Sequence, residues 1–222
     1  MTGVYEHALG DAADDLHPKV RERYGIGPDD GVVCVGHGEM DIDHGTLALP
    51  ALYAMPARNL LFPETGDDVP FTVTTTGWRD AGREVLTTRR EFEFDSTRRV
   101  FDSLTVWDHD RERLFDFLGT GGLLASELHP RVEDGALAVD GGKQWLHVGG
   151  RYVPLPGPTA ATVTVRDRYD DDEEQYHVLG TVESPLVGRI LRYQGTFTQT
   201  LEEWERVPPA LKPTRGLASL PP

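Results

Sequence analysis

FTVTTTGWRDAGREVLTTRREFEFDSTRRVFDSLTVWD, residues 71–108, is the stretch on which the choice of fold turns. Its period is two. Phe71, Val73 and Thr75 fall on one side of an extended chain and Thr72, Thr74 and Thr76 on the other. Asp80-Ala81-Gly82 then supplies a turn, with glycine where a positive φ is needed. Beyond the turn Leu86, Thr88, Arg90, Phe92 and Phe94 share one face, and Val85, Thr87, Arg89, Glu91 and Glu93 share the other. A second turn at residues 95–98 leads into residues 100–107, where Phe101, Ser103, Thr105 and Trp107 oppose Val100, Asp102, Leu104 and Val106. Consecutive strands joined by short turns, with no room for crossover helices, predict antiparallel pairing.

Toward the C-terminus the same spacing continues. Strands are expected at residues 123–132, 136–139, 144–148 and 152–153, with turns at 133–135, 140–142 and 149–150. Pro154, Pro156 and Pro158 interrupt this meander. Two long strands, 161–169 and 175–182, flank the acidic turn 170–174, and a last one covers 188–200. Residues 111–118, with Leu114, Phe115 and Leu118 at helical spacing, predict a helical segment. Toward the N-terminus, residues 18–24 read as a short helix with Pro18 at its first position and Gly25 as its stop. Residues 31–40 read as a strand whose glycine-spaced later half lies close to other backbone. Residues 47–55 read as a short apolar helix broken by Pro56.

About ten strands in one sheet must curl or close. The expected fold is therefore mainly β, a β-rich α+β chain: a strongly curved antiparallel sheet or barrel, with one or two short N-terminal helices and residues 47–62 packed on its concave face or one open end. One domain is expected over residues 1–207, followed by a loosely ordered, proline-rich tail over 208–222.

Composition narrows the partners. A formal net charge of −15 repels phosphate backbones, and no basic run offsets it, so nucleic acid is excluded as an expected partner. Lys19, Lys143 and Lys212 are the only lysines, while aspartates cluster at 14–15, 29–30, 67–68 and 170–172. An acid-rich, lysine-poor surface suits a cytoplasm of high salt, where carboxylate repulsion is screened. Cys34 stands alone in an apolar run, which leaves no disulfide framework. No signal peptide is expected from the first residues, and the most apolar window, 47–62, contains Pro50, Pro56, Arg58 and Asn59 and is too short to span a membrane. A cytoplasmic location is expected.

Three constellations bear on chemistry. His37, Glu39, Asp41 and Asp43 share one strand face, with His44 adjacent, and offer ligands for a divalent ion; the competing reading, a solvated strand end, is preferred, and no metal or other cofactor is expected. Asp108-His109-Asp110 sets a histidine between carboxylates, and is read as a turn in preference to an acid–base site. The favoured set comprises Arg90, Phe92, Arg192 and Tyr193. A guanidinium among apolar side chains needs an anion: either a ligand, or an internal carboxylate from Glu84, Asp102 or Asp167.

A fixed order of short motifs runs along the chain: His17-Pro18 with Val20-Arg21, Gly36-His37-Gly38-Glu39-Met40 with Gly45, Asp68-Val69-Pro70-Phe71, Arg90-Glu91-Phe92, Pro154-Leu155-Pro156, and Leu186-Val187-Gly188 with Arg192-Tyr193-Gln194-Gly195. Together they resemble the domain family DUF4166, over residues 16–198. That family has no established activity, and its members commonly follow saccharopine-dehydrogenase-like oxidoreductase domains. The resemblance thus implies an interaction module that docks on a separate oxidoreductase as one function. The present chain carries no dinucleotide fingerprint, since Gly36-x-Gly38 has no third glycine opening a helix. The residues themselves favour a binding module that encloses a small, largely apolar ligand in a curved sheet, with catalytic residues unassigned. An enzyme using the His37 or His109 cluster is the third alternative.

Overall fold

The structure is a computed structural model that describes residues 3–212 and 220–222. Its strands are β1 (Val32–Asp43), β2 (Gly66–Asp80), β3 (Arg83–Phe94), β4 (Thr97–Asp108), β5 (Arg113–Leu118), β6 (Leu124–Glu133), β7 (Ala136–Val148), β8 (Arg151–Pro154), β9 (Thr162–Asp170), β10 (Gln175–Ser184) and β11 (Gly188–Glu203). They pair antiparallel in the order β6-β5-β4-β3-β2-β1-β11-β10-β9-β7-β8, and a further β6–β7 ladder closes the sheet into a ten-stranded barrel, with β8 added outside the ring. The hairpin read from residues 71–94 is present, with Phe71 opposite Phe92 and Val73 opposite Arg90. Ala81 and Gly82 both have positive φ, 49° and 86°, the turn geometry whose twist matches the flanking strands.

Close backbone approach organises the seam between the first and last strands. Gly38 on β1 lies opposite Phe197 on β11, and a Cβ there would collide with the Thr196 carbonyl; a Cβ on Gly195 would strike the Glu39 carbonyl in the same way.

The helices close the barrel. α1 (Val4–Leu9) and α2 (Pro18–Tyr24, with Pro18 in its first turn) carry Val4, Tyr5 and Val20 into a cluster with Leu86, Leu114, Leu128 and Leu137. The segment containing α3 (Leu49–Leu52) brings Leu52, Leu60, Leu61 and Phe62 onto Met40, Phe71 and Phe92. Inward positions along β3 show how these two clusters are spaced. Leu86 belongs to the first and Phe92 to the second, while Thr88 and Arg90 between them face an unfilled interior.

Three expectations are corrected. Residues 111–118 form strand β5 after a turn, not a helix, because Leu114 packs inward while Phe115 and Phe117 pack outward, so that both faces are buried and the alternation of hydrophobicity disappears. Residues 136–148 form one strand and not two; the ladder to β6 shifts register between Ser126 and Leu128, and Gly141 and Gly142 let the chain pass the bulge unbroken. The tail is packed where it is described. Leu211 is buried and its carbonyl accepts a hydrogen bond of 2.8 Å from Thr87, and the partly buried Leu220 packs against Trp78, Phe115, Phe117 and Trp145 in an outer cluster. The remainder of the tail, 213–219, lies outside the described residues.

Candidate functional site

Between the two interior clusters lies a cavity of about 530 Å³. Its wall is apolar, made by inward residues of successive strands such as Leu118, Leu128, Val139, Val163, Val165 and Ile190. Ala51, Ala54 and Met55, from α3 and the residues after it, border it as well.

Scattered polar side chains such as Gln144, Ser126 and Arg58 also border it, and one group of them is clustered. β3 contributes Arg90, β4 contributes Ser103 and Thr105, β5 contributes Asp116, α1 contributes Tyr5 and β11 contributes Tyr193. Strand period places them: Ser103 and Thr105 follow Phe101 on the inward face of β4, and Asp116 lies between Leu114 and Leu118 on the inward face of β5. The Thr105 hydroxyl donates to Asp116 Oδ1 at 3.0 Å, and Arg90 Nη1 donates to Ser103 Oγ at 3.4 Å. The Arg90 guanidinium also stands over the Phe101 ring, 5.0 Å from its centroid. Burial raises the Asp116 carboxyl above the usual carboxylate range; the Arg90 guanidinium and the hydroxyls of Thr105 and Ser103 offset part of that rise. Burial likewise raises the phenols of Tyr5 and Tyr193, and the nearby Arg90 charge pulls both partly back.

Of the four side chains favoured from the sequence, Arg90 and Tyr193 reach this cavity. Arg90 points inward as its strand face predicts, but none of the expected carboxylates holds it. Glu84 bonds His7, Asp102 pairs with Arg89 and accepts from Asn59, and Asp167 pairs with Arg23. Among the described residues, no carboxylate comes within the 4.0 Å of an ion pair with Arg90. Arg23 takes the role anticipated for Arg90. Its Nε lies 3.3 Å from Asp167 in a buried pair that Tyr24 and Gln199 complete. Phe92 does not border the cavity; it packs beneath it on Phe62 and Phe71. Arg192 lies on the outer face, where its guanidinium donates to Gln194 Oε1 at 2.7 Å, because on a regular strand it alternates with the inward Tyr193. Tyr193 lies across Gly180 of the neighbouring strand, where any side chain would occupy the space of its ring.

The histidine constellations dissolve into local bonds. His37 meets Thr72, Asp41 accepts from the Asp68 amide, Asp43 pairs with Arg189 and His44 meets the Pro63 carbonyl. Asp108 is a turn residue whose carboxylate accepts from the Asp110 and Arg111 amides. His109 instead approaches His7 and Glu84, three ligand-bearing side chains within 4.8 Å of one another, with Arg79 also 3.4 Å from Glu84.

Asp116 and Tyr5 are among the polar cavity residues that the sequence reading missed. A lone carboxylate inside Leu114-Phe115-Asp116-Phe117-Leu118 was a signal, since an ionisable group in an apolar run is either a solvated face or an interior site. Tyr5 gave none, because α1 was unforeseen.

The family model described as "Domain of unknown function (DUF4166)" matches residues 16–197. A Bacillus subtilis (strain 168) protein described as "Uncharacterized protein YndH" is 30% identical over 207 residues, which covers 91% of this chain and all of that protein. The match takes in the α2 helix, β11 as far as Phe197, the other strands of the ring, and the inward residues Arg90, Asp116 and Tyr193; the chain belongs to the DUF4166 family.

Proposed function

We propose that the barrel is a binding module for a small, largely apolar molecule held in its interior. The observation that carries this is the cavity itself: about 530 Å³ of space walled by inward Leu, Val and Ile, within the range of natural small-molecule sites. A well-packed interior has few voids larger than a water molecule, and an apolar void of this size loses dispersion contacts that a ligand would restore. Neither histidine nor cysteine stands among the described residues that border it, so any acid–base or nucleophilic chemistry there would fall to Asp116, Ser103 or the tyrosines.

The test is occupancy. Native mass spectrometry of protein purified from its source is expected to show a non-covalent small molecule, and an apolar fluorescent probe such as 1-anilinonaphthalene-8-sulfonate should bind the emptied protein at one site. Val163→Trp, which fills the cavity from β9, should abolish probe binding while the barrel stays folded by circular dichroism. A probe that binds this variant and the unaltered chain equally would refute an interior site.

A further inference from the structure

The polar group on the cavity wall identifies the chemical class of ligand more narrowly. We infer that the ligand is a monocarboxylic acid with an apolar tail, its head bound by Arg90 and its tail lying along the Leu, Val and Ile wall. This rests on the cavity-binding reading above and deepens it.

Three observations converge. Arg90 is a permanent cation that faces an apolar interior, with one long hydrogen bond, to Ser103, and no ion-pair partner among the described residues. The guanidinium has five donors in a planar fork suited to a carboxylate, so most of its donor capacity is unspent by side chains. The neighbouring carboxylates that might have neutralised it are engaged elsewhere, Asp102 by Arg89 and Asn59, and Asp167 by Arg23 and Tyr24. Asp116 is the one acid facing the same space; it accepts from Thr105 and makes no ion pair with Arg90, although the Arg90 charge acts on it.

Asp116 shapes the choice of head group. Burial raises its carboxyl above the usual range while Arg90 and the Thr105 and Ser103 hydroxyls offset part of the rise; in its protonated form it donates a hydrogen bond to a carboxylate head, and in its ionised form it repels one. Every charged or titratable group that faces it belongs to the same cluster: Arg90 from β3, Tyr5 from α1 and Tyr193 from β11. Both phenols are held neutral by burial and serve as further donors to an anion. A phosphate or sulfate head, with greater charge and more acceptors, would bring more negative charge beside Asp116, where Arg90 is the one arginine of the cluster; Arg58, which also borders the cavity, is exposed. An uncharged head would leave the Arg90 charge unpaired. Volume bounds the tail: at the share of about 30 Å³ that a water molecule takes in the liquid, the cavity accommodates on the order of fifteen non-hydrogen atoms.

The experiment compares dodecanoate, dodecanol and methyl dodecanoate by isothermal titration calorimetry near neutral pH, below their aggregation concentrations, on protein stripped of lipid. Dodecanoate is expected to bind at least about tenfold tighter than either uncharged analogue, as a charge-assisted bidentate contact warrants. Arg90→Met, close in size and uncharged, should remove that preference while leaving dodecanol within about threefold. Asp116→Asn keeps a hydrogen-bond donor there and removes the group that repels a carboxylate when ionised, and should keep or tighten dodecanoate binding. If the acid and the alcohol bind equally to the unaltered protein, the acid-head inference fails while the cavity reading stands. If none of the three binds or displaces the fluorescent probe, the cavity reading itself fails. An Arg90→Met protein that retains the full preference for dodecanoate also overturns the assignment; should that variant not fold, the comparison of the three ligands on the unaltered chain decides alone.

Discussion

Arg90 and Arg23 carry the same side chain into the same interior with opposite consequences. Arg23 is matched to Asp167 in a pair whose side chains are 6% and 2% exposed, so Arg23→Met leaves a buried carboxylate uncompensated and should cost about 3–5 kcal/mol. Arg90 has no such partner to strand. Arg90→Met is expected to leave stability within about 1 kcal/mol of the unaltered protein or to raise it, and paired denaturant titrations of the two variants separate the cases. Asp116 gives a pH signature at the same scale. Its folded pKa is raised above the value near 3.9 of an unfolded chain, so the folded state holds its proton more tightly. The stability this provides is complete below the unfolded pKa and is lost as the pH rises through the folded one. The melting-temperature difference between Asp116→Asn and the unaltered protein should therefore grow in favour of the variant as the pH rises from 4 toward 7. A difference independent of pH would show that Asp116 titrates as it does in the unfolded chain.

At the level of elements, legibility followed exposure. The β2–β3 hairpin alternates because one face meets the interior and the other is polar, and its turn and two faces were readable from the sequence. β5 was misread because both of its faces are buried, Leu114 inward and Phe115 and Phe117 under the outer cluster, which removes the alternation that distinguishes a strand from a helix. The misreading propagated to the site, since Asp116 faces the cavity only if residues 113–118 are extended. The inward side of Arg90 was legible from Leu86, Phe92 and Phe94; its lack of a carboxylate partner was not, because pairing depends on which distant strands close the ring. Turn chemistry offers a direct test. Ala81 adopts φ 49° at the first of the two hairpin-turn positions, a conformation costly for alanine and well tolerated by asparagine. Ala81→Asn should raise stability by about 0.5–1 kcal/mol, visible as a melting temperature higher by about 1–3 °C. No gain would mean that the left-handed residue is compensated elsewhere in the turn.

Across the whole molecule, charge opposes what the closed sheet accomplishes. The formal net charge of −15 makes carboxylate repulsion a collective term, and raising the ionic strength from 0.1 M to 1 M shortens its range from about 10 Å to about 3 Å. The melting temperature is expected to climb as KCl is raised over this interval. A flat or falling curve would instead mark the surface pairs, such as Arg189 with Asp43 and Arg166 with Glu133, as the larger electrostatic contribution. The antiparallel barrel was legible at this scale from strand number and turn spacing; its closure between β6 and β7, which depends on β7 running unbroken through Gly141 and Gly142, was not.

The β1–β11 seam joins Val32 to Glu203 and Asp43 to Arg192. During synthesis β1 emerges early and must wait for nearly the whole chain before its second neighbour exists, so the ring cannot shut until β11 has left the ribosome. At about 5–20 residues per second that interval lasts on the order of ten seconds or longer, with β1 presenting an unpaired edge to every other nascent chain. On the ligand-binding proposal above, the docking of the last strand, and not only later opening, is an occasion on which a ligand can be enclosed.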